Sequence, residues 1–146
     1  MESNVLRFSL LSPDRQVLQS MEVASVVIPG TEGAIQILSG HARMIGQLVT
    51  GVCRATPAGA NASEAPVVAV LSSGFFEVHD NHVMVMAETV ELSHEVDGAR
   101  AKRALERAEA RIAQEALDDT QFKKNQWKLQ RAIIRQQVAS GIHSFD

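Results

Sequence analysis

The chain has 146 residues, 45% of them hydrophobic and 21% charged. That is ordinary globular usage for one domain, or for one small domain plus an appendage. A net charge of −3 with a pI near 5.9 argues against a nucleic-acid binder, and one Trp with no Tyr leaves few rings on which bases or sugars would stack. The single cysteine, Cys53, excludes an intramolecular disulfide and any CxxC redox or zinc pattern, and reads as a small apolar strand residue.

The opening Met1-Glu2-Ser3-Asn4 has neither a basic stretch nor a long apolar one, so no secretory signal is expected. No apolar run approaches the roughly 20 residues that span a bilayer, so direct membrane insertion is not expected either. A soluble protein of a reducing compartment is the expectation. Val5–Leu11 reads as a strand, followed by the turn Ser12-Pro13-Asp14-Arg15. Val17–Ile28 reads as two strand-like pieces ended by Pro29-Gly30. Gly33–Leu38, Leu48–Ala55, Val67–Ser72, Phe75–His79 and Val83–Ala87 continue the pattern. In the last of these, Val83 and Val85 share one face and Met84 and Met86 the other. Asp80-Asn81 is a hairpin tip, and Pro57–Pro66, small and polar, is an exposed loop between paired strands. Short strands with regular turn signals predict a β-sandwich or barrel of roughly ninety residues.

Charge and texture change together near His94. Residues 1–94 hold 4 Lys+Arg and 9 Asp+Glu, a net of −5; residues 95–146 hold 10 and 8, a net of +2. The rear segment predicts two helices. Asp97 is a suitable N-cap, although Gly98 is a poor first residue, and Ala99 to about Leu117 lacks Pro and Gly. Ala101, Leu105, Ala108 and Ile112 form a narrow apolar seam. Asp118-Asp119-Thr120 breaks the pattern. A second helix over Gln121–Ala139 offers Phe122, Trp127, Leu129, Ile133 and Val138 as apolar contacts and stops near Ser140-Gly141. The short connection implies an antiparallel hairpin.

Catalytic motifs are missing. There is no G-x-x-x-x-G-K-[ST] phosphate loop, no G-x-S-x-G elbow, and no carboxylate pair with acid/base spacing. His79-Asp80-Asn81-His82 superficially suggests a metal site, but a hairpin turn sends its side chains to different faces, so a solvated turn is the better reading. No catalytic residue and no metal ligand is therefore assigned. The helices carry the distinctive chemistry: Arg100, Arg103, Arg107 and Arg111 line one side of the first, with Glu106 and Glu109 to relieve them. Lys124, Lys128, Arg131 and Arg135 line one side of the second, which has no acidic residue between Gln121 and Phe145. Like charges one turn apart repel by roughly a few tenths of a kcal/mol per pair. The stripes suit a solvated face, an acidic protein surface, or phosphate, whose oxygens match the Arg fork.

Five segments in order carry a family resemblance: Val27-Ile28-Pro29-Gly30-Thr31-Glu32-Gly33, Ile37-Leu38-Ser39-Gly40-His41-Ala42, Ser73-Gly74-Phe75-Phe76-Glu77-Val78, Val83-Met84-Val85-Met86-Ala87-Glu88-Thr89 and Val96-Asp97-Gly98-Ala99-Arg100-Ala101. The chain thereby resembles the epsilon subunit of bacterial F-type ATP synthases over nearly its whole length. The resemblance implies an α+β protein of segregated domains. A ten-stranded β-sandwich over residues 1–93 would contact the gamma subunit and the polar loops of the c-ring. An antiparallel helical hairpin over residues 94–146 would be the regulatory part.

It further implies a non-catalytic rotor-stalk subunit, peripheral on the cytoplasmic side of a bacterial cell membrane. Such a subunit couples proton-driven rotation to ATP synthesis and inhibits ATP hydrolysis when the hairpin extends towards the catalytic subunits. By the resemblance, His41, Ala42, Arg43 and Met44 belong to the ring-facing loop, in which Ser39 and Arg43 stand where the family usually has prolines. The family's ATP-binding motif maps onto Val96, Asp97 and Arg100, with Arg107, the pair Arg131 and Arg135, and Glu91 upstream. No cofactor is required, and ATP is a regulatory ligand that would hold the hairpin folded. The same arginines would alternatively meet an acidic segment of the beta subunit. A nucleotide-sensing binding module is the alternative function.

Overall fold

The computed structural model describes residues 5–96, 98–114 and 119–141. The chain divides into two compact units, Met1–Leu92 and Ser93–Asp146. The first is built of nine strands: β1 (Leu6–Leu11), β2 (Gln16–Gly30), β3 (Gly33–Leu38), β4 (Met44–Leu48), β5 (Gly51–Pro57), β6 (Val67–Leu71), β7 (Gly74–His79), β8 (His82–Ala87) and β9 (Val90–Leu92). The second holds α1 (Gly98–Gln114) and α2 (Asp119–Ala139).

The strands form the two layers of a β-sandwich joined through the long β2. Hydrogen bonding runs β1-β8-β7-β4 on one side and β2-β5-β6-β9 on the other, with β3 on β2 and β1 closing back onto β2. The pair β1–β8 is parallel; the other pairings are antiparallel. Alternation sets the inward faces. Leu6, Phe8 and Leu10 of β1, Phe76 and Val78 of β7, and Val83 and Val85 of β8 are all fully or nearly fully buried in one core. Burying a side chain of this size stabilises by about 1.5–3 kcal/mol, so no single strand holds the domain alone.

On β2 the inward set changes parity, from Val23 to Val26 and Ile28. The register against β5 slips between Val23 and Ser25, and the irregularity at Ala24 turns the following side chains over. This lets a single strand face the core in both halves of its length. It also corrects two expectations. Val17–Ile28 is part of one continuous strand, not two pieces, and the sandwich has nine strands among the described residues where ten were implied. A third correction concerns Leu48–Ala55. Leu48 ends β4 and a turn at Val49-Thr50 separates it from β5. β9 lies in a segment the sequence left unassigned.

Asp80 and Asn81 both have positive φ, 48° and 59°, which makes the tight tip joining β7 to β8. The Pro57–Pro66 loop is exposed, yet it is pinned at its root. The backbone N–H of Glu22 donates to Asn61 Oδ1 at 3.1 Å, and the N–H of Ala58 donates to the Glu22 carbonyl at 3.0 Å.

In the helical unit the beginning of α1 abuts the end of α2. A methyl placed on Gly98 would lie 3.4 Å from Cβ of Ala139, so the helices are antiparallel. The seam is mostly alanine: Ala101, Ala108 and Ala132 are buried with Val138, and Leu105 and Leu129 are half-buried. Trp127 and Ile133, expected as contacts, are instead 69% and 39% exposed. They stand about 140° and 100° around α2 from Ala132. A strip of small side chains covers only what lies directly on it. The side chains of Ile112 and Phe122, and residue Asp97, lie outside the described set. The backbone N–H of Gly141, at φ 79°, donates to the Val138 carbonyl at 3.0 Å and ends α2.

Candidate functional site

Along α1, Arg100, Arg107 and Arg111 fall within a sector of about 40°, and along α2, Lys128, Arg131 and Arg135 fall within about 60°. Antiparallel packing on an alanine seam turns both sectors to the same side. The result is a cleft of about 490 Å³ lined by those six cations with Ala104, Ala108, Ala110 and Ala132. Arg131 and Arg135 are half-buried at its wall, and the Nε of Arg135 is buried. Arg103 is exposed and does not line the cleft, nor do Glu106 and Glu109, which lie on the far side of α1.

The alanines matter as much as the cations. Their short side chains leave a low floor, so the guanidinium groups stand as walls above it. Multiple Arg forks facing a concave surface are suited to a polyanion with several oxygens. No nucleophile or general base lines the cleft among the described residues.

Of the residues assigned to nucleotide binding from sequence, the structure brings together Arg100, Arg107, Arg131 and Arg135. Val96 is half-buried just before α1, its N–H donating to the Ser93 carbonyl at 3.3 Å. Asp97 is outside the described residues. Glu91 lies on β9 of the other unit, opposite Val70 of β6. Arg111 and Lys128 join the cleft without having been assigned to it. Their signal was available, since both continue the stripes that Arg107 and Arg131 begin.

The second candidate region is the end of the sandwich where the β3–β4 loop meets the β7–β8 tip. The N–H of Gly40 donates to Asn81 Oδ1 at 2.7 Å, and the His41 ring, through Nδ1, contacts the Ala42 carbonyl at 2.7 Å. Ala42 and Arg43 are exposed, His41 and Met44 are half-buried, and Met44 begins β4 opposite Val78. A shallow hollow of about 710 Å³ joins His41 and Arg43 to Arg7, His79 and Asp80. His79 and His82 turn to different partners: His79 Nε2 lies 3.1 Å from Asp80 Oδ2, and His82 Nε2 lies 2.8 Å from Ser9 Oγ. Among the described residues no three metal-binding side chains converge. Cys53 faces the core of the sandwich, and burial pushes its thiol up to about 12.

Two family models match consecutive parts of the chain, together residues 5–140. One, described as the ATP synthase delta/epsilon chain β-sandwich domain, covers residues 5–93, and the other, the long α-helix domain of the same chain, covers residues 94–140. Curated relatives agree. The chain is 36% identical over 140 residues to the ATP synthase epsilon chain of Pediococcus pentosaceus, covering 94% of this chain and 97% of the relative. The chain belongs to the ATP synthase epsilon chain family. A second epsilon chain, from Geobacter sulfurreducens, is 36% identical over 134 residues, covering 92% of this chain and 93% of the relative.

Solved structures share the fold. A chain in the cryo-EM structure of Euglena gracilis mitochondrial ATP synthase (OSCP/F1/c-ring) aligns with a TM-score of 0.76 at 23% identity, covering 90% of this chain and 79% of that one. One in the Tetrahymena thermophila mitochondrial ATP synthase central stalk and c-ring aligns at 0.64 and 13%, covering 89% and 92%. In this epsilon-family chain no described helix is long and apolar enough to cross a membrane. The family motif Ser73–Val78 makes up most of β7, at whose start Gly74 sits against the backbone of β8. A methyl there would lie 2.0 Å from the Met86 carbonyl oxygen.

Proposed function

We propose that this chain is a non-catalytic rotor-stalk subunit of a proton-translocating F-type ATP synthase, held peripherally on the cytoplasmic side of a bacterial membrane. It couples rotation to ATP synthesis and restrains hydrolysis through its helical hairpin. The observation that carries this reading is the match to an epsilon chain over 94% of this chain, together with a hairpin whose two helices present six cations on one side. The sandwich supplies the fixed contacts. Its β4–β7 surface leaves Ile45 69% and Phe75 55% exposed, an apolar area suited to the gamma subunit. The loop of His41, Ala42, Arg43 and Met44 is the contact with the polar loops of the c-ring. When extended, the arginines of the hairpin meet an acidic segment of the beta subunit.

The test is reconstitution with the cognate complex. Removing residues 95–146 is expected to raise ATP hydrolysis several-fold and to leave assembly with gamma intact. Unchanged hydrolysis sinks the inhibitory role.

A second reading is favoured by the cleft itself: the hairpin senses nucleotide, with ATP as a regulatory ligand held by Arg100, Arg107, Arg131 and Arg135. ATP bound to one hairpin state shifts the population towards that state by its differential affinity. Titrating the chain with ATP tests it, and absence of binding at millimolar concentration removes it.

A further inference from the structure

We infer that Glu77 selects the surface that covers the outer face of the strands β1, β8, β7 and β4: that surface must present a Lys or Arg side chain about 7 Å from a large apolar one. This rests on the reading of that face as the seat of the gamma subunit, and adds the chemistry the seated surface must carry. Residues directly opposite one another in neighbouring strands point to the same side of a sheet. Gln47, Phe75, Met86 and Leu11 therefore make one row across the outer face, and Ile45, Glu77 and Met84 make the next. The intervening Phe76, Val85 and Leu10 are buried in the core. The first row borders a hollow of about 770 Å³ whose lining includes Leu11, Pro13, Leu48, Phe75 and Met86, which has room for a large apolar side chain.

Glu77 interrupts this apolar face. Ile45, opposite it on β4, is 69% exposed, and Met84, opposite it on β8, is half-buried. Neither side chain can pair a carboxylate. Among the described residues the Glu77 side chain has no ion pair or hydrogen bond, and its half-buried position leaves it to water. A partner that covers Ile45 and Phe75 strips that water away. A carboxylate dehydrated without a donor is costly, whereas one that meets a cation forms a charge-assisted pair. Glu77 therefore rejects a wholly apolar surface, repels an acidic one, and accepts one with a basic side chain at that place. Phe75 and Glu77 are two positions apart on β7, about 7 Å, which fixes the distance between the partner's apolar side chain and its cation. A helix supplies that spacing with an apolar and a basic residue one turn apart.

The experiment is biolayer interferometry of the full chain against the cognate complex stripped of this chain, with Glu77→Gln, Glu77→Lys and Phe75→Ser alongside and circular dichroism to report the fold of each. Glu77→Gln keeps the shape and removes the charge. It is expected to weaken binding about thirtyfold or more, mainly through faster dissociation, because the partner's cation is left unpaired. Glu77→Lys should weaken binding further, since it sets two like charges together. Phe75→Ser should weaken it at least about tenfold. Glu77→Gln binding within about threefold of the unaltered chain, with Phe75→Ser weakened, overturns the selecting role of Glu77 while leaving the gamma reading of the face standing. Unaltered affinity in both Glu77→Gln and Phe75→Ser overturns both. Weakened binding in Glu77→Gln with loss of its native circular dichroism assigns the effect to folding and overturns the selecting role.

Discussion

The hydroxyl of Ser9 on β1 lies 2.8 Å from Nε2 of His82 on β8, 73 positions away in the chain, and accepts the backbone N–H of Ser20 at 3.0 Å. Ser9 is only 3% exposed, although its neighbours Phe8 and Leu10 point into the core and it does not. The hydroxyl thus joins three segments at the place where β2 takes the unusual φ of 49° at Ser20. Ser9→Ala leaves the Ser20 N–H and the His82 ring without that partner, and is expected to destabilise the sandwich by about 1–3 kcal/mol. Urea unfolding followed by circular dichroism measures this; an unchanged midpoint refutes it.

Gly74 makes a sharper prediction. A methyl there meets the Met86 carbonyl oxygen at 2.0 Å and Cα of Ala87 at 2.8 Å, both backbone atoms that cannot rotate away. Gly46 is crowded too, but by the ring of Phe76, at 2.5 Å. Gly74→Ala is expected to cost about 3 kcal/mol or more, because β7 and β8 must separate, and Gly46→Ala about 1–3 kcal/mol, because a side chain has some freedom to shift. Thermal unfolding of the two variants side by side gives the order, and the reverse order contradicts the packing argument.

The alanine seam sets the behaviour of the hairpin. Ala101 is fully buried and Trp127 is 69% exposed. Ala101→Leu should force the helices apart and destabilise the hairpin by about 1–3 kcal/mol, whereas Trp127→Ala should change stability by no more than about 0.5 kcal/mol. Amide exchange along α1 and α2 reports both. Strong loss of protection in Trp127→Ala would show that this side chain is packed.

Cys53 gives a pH dependence. Burial pushes its thiol up to about 12, while an unfolded thiol titrates near 9.0. Above pH 9 the unfolded chain releases this proton and the folded chain retains it, so the unfolded state is favoured as pH rises. The stabilising contribution is whole below pH 9 and is lost progressively towards pH 12. Comparing the chain with Cys53→Ala, the excess slope of stability with pH in that window should disappear in the variant. Alkylation of the native chain near pH 8 should be slow and should accelerate on unfolding; rapid alkylation of the folded chain would refute the burial.

Much of this molecule is legible in its residues, for reasons that differ between parts. The alternation of Val83, Met84, Val85 and Met86 gives the two faces of β8 directly, because strand side chains repeat with period two. The Asp80-Asn81 tip is equally local. The long β2 is less so: its change of inward parity near Ala24 arises from a register slip against β5, and a slip is a property of a pair of strands. Trp127 stays outside the expected contact for a related reason. Its apolarity is visible in sequence, whereas the narrow alanine contact that bypasses it depends on the neighbouring helix.

Spacing and composition along one chain are enough to give the acidic strand-rich front, the basic helical rear and the Arg stripes, while the family came from the resemblance of five motifs in order. The folded chain adds that the stripes of α1 and α2 share a cleft, that Arg111 and Lys128 line it while Arg103 does not, and that Ser9 and His82 meet. Periodicity tells which residues of one element share a face. Which faces then meet is settled by packing between elements distant in the chain, and here the smallness of alanine along one seam sets that arrangement.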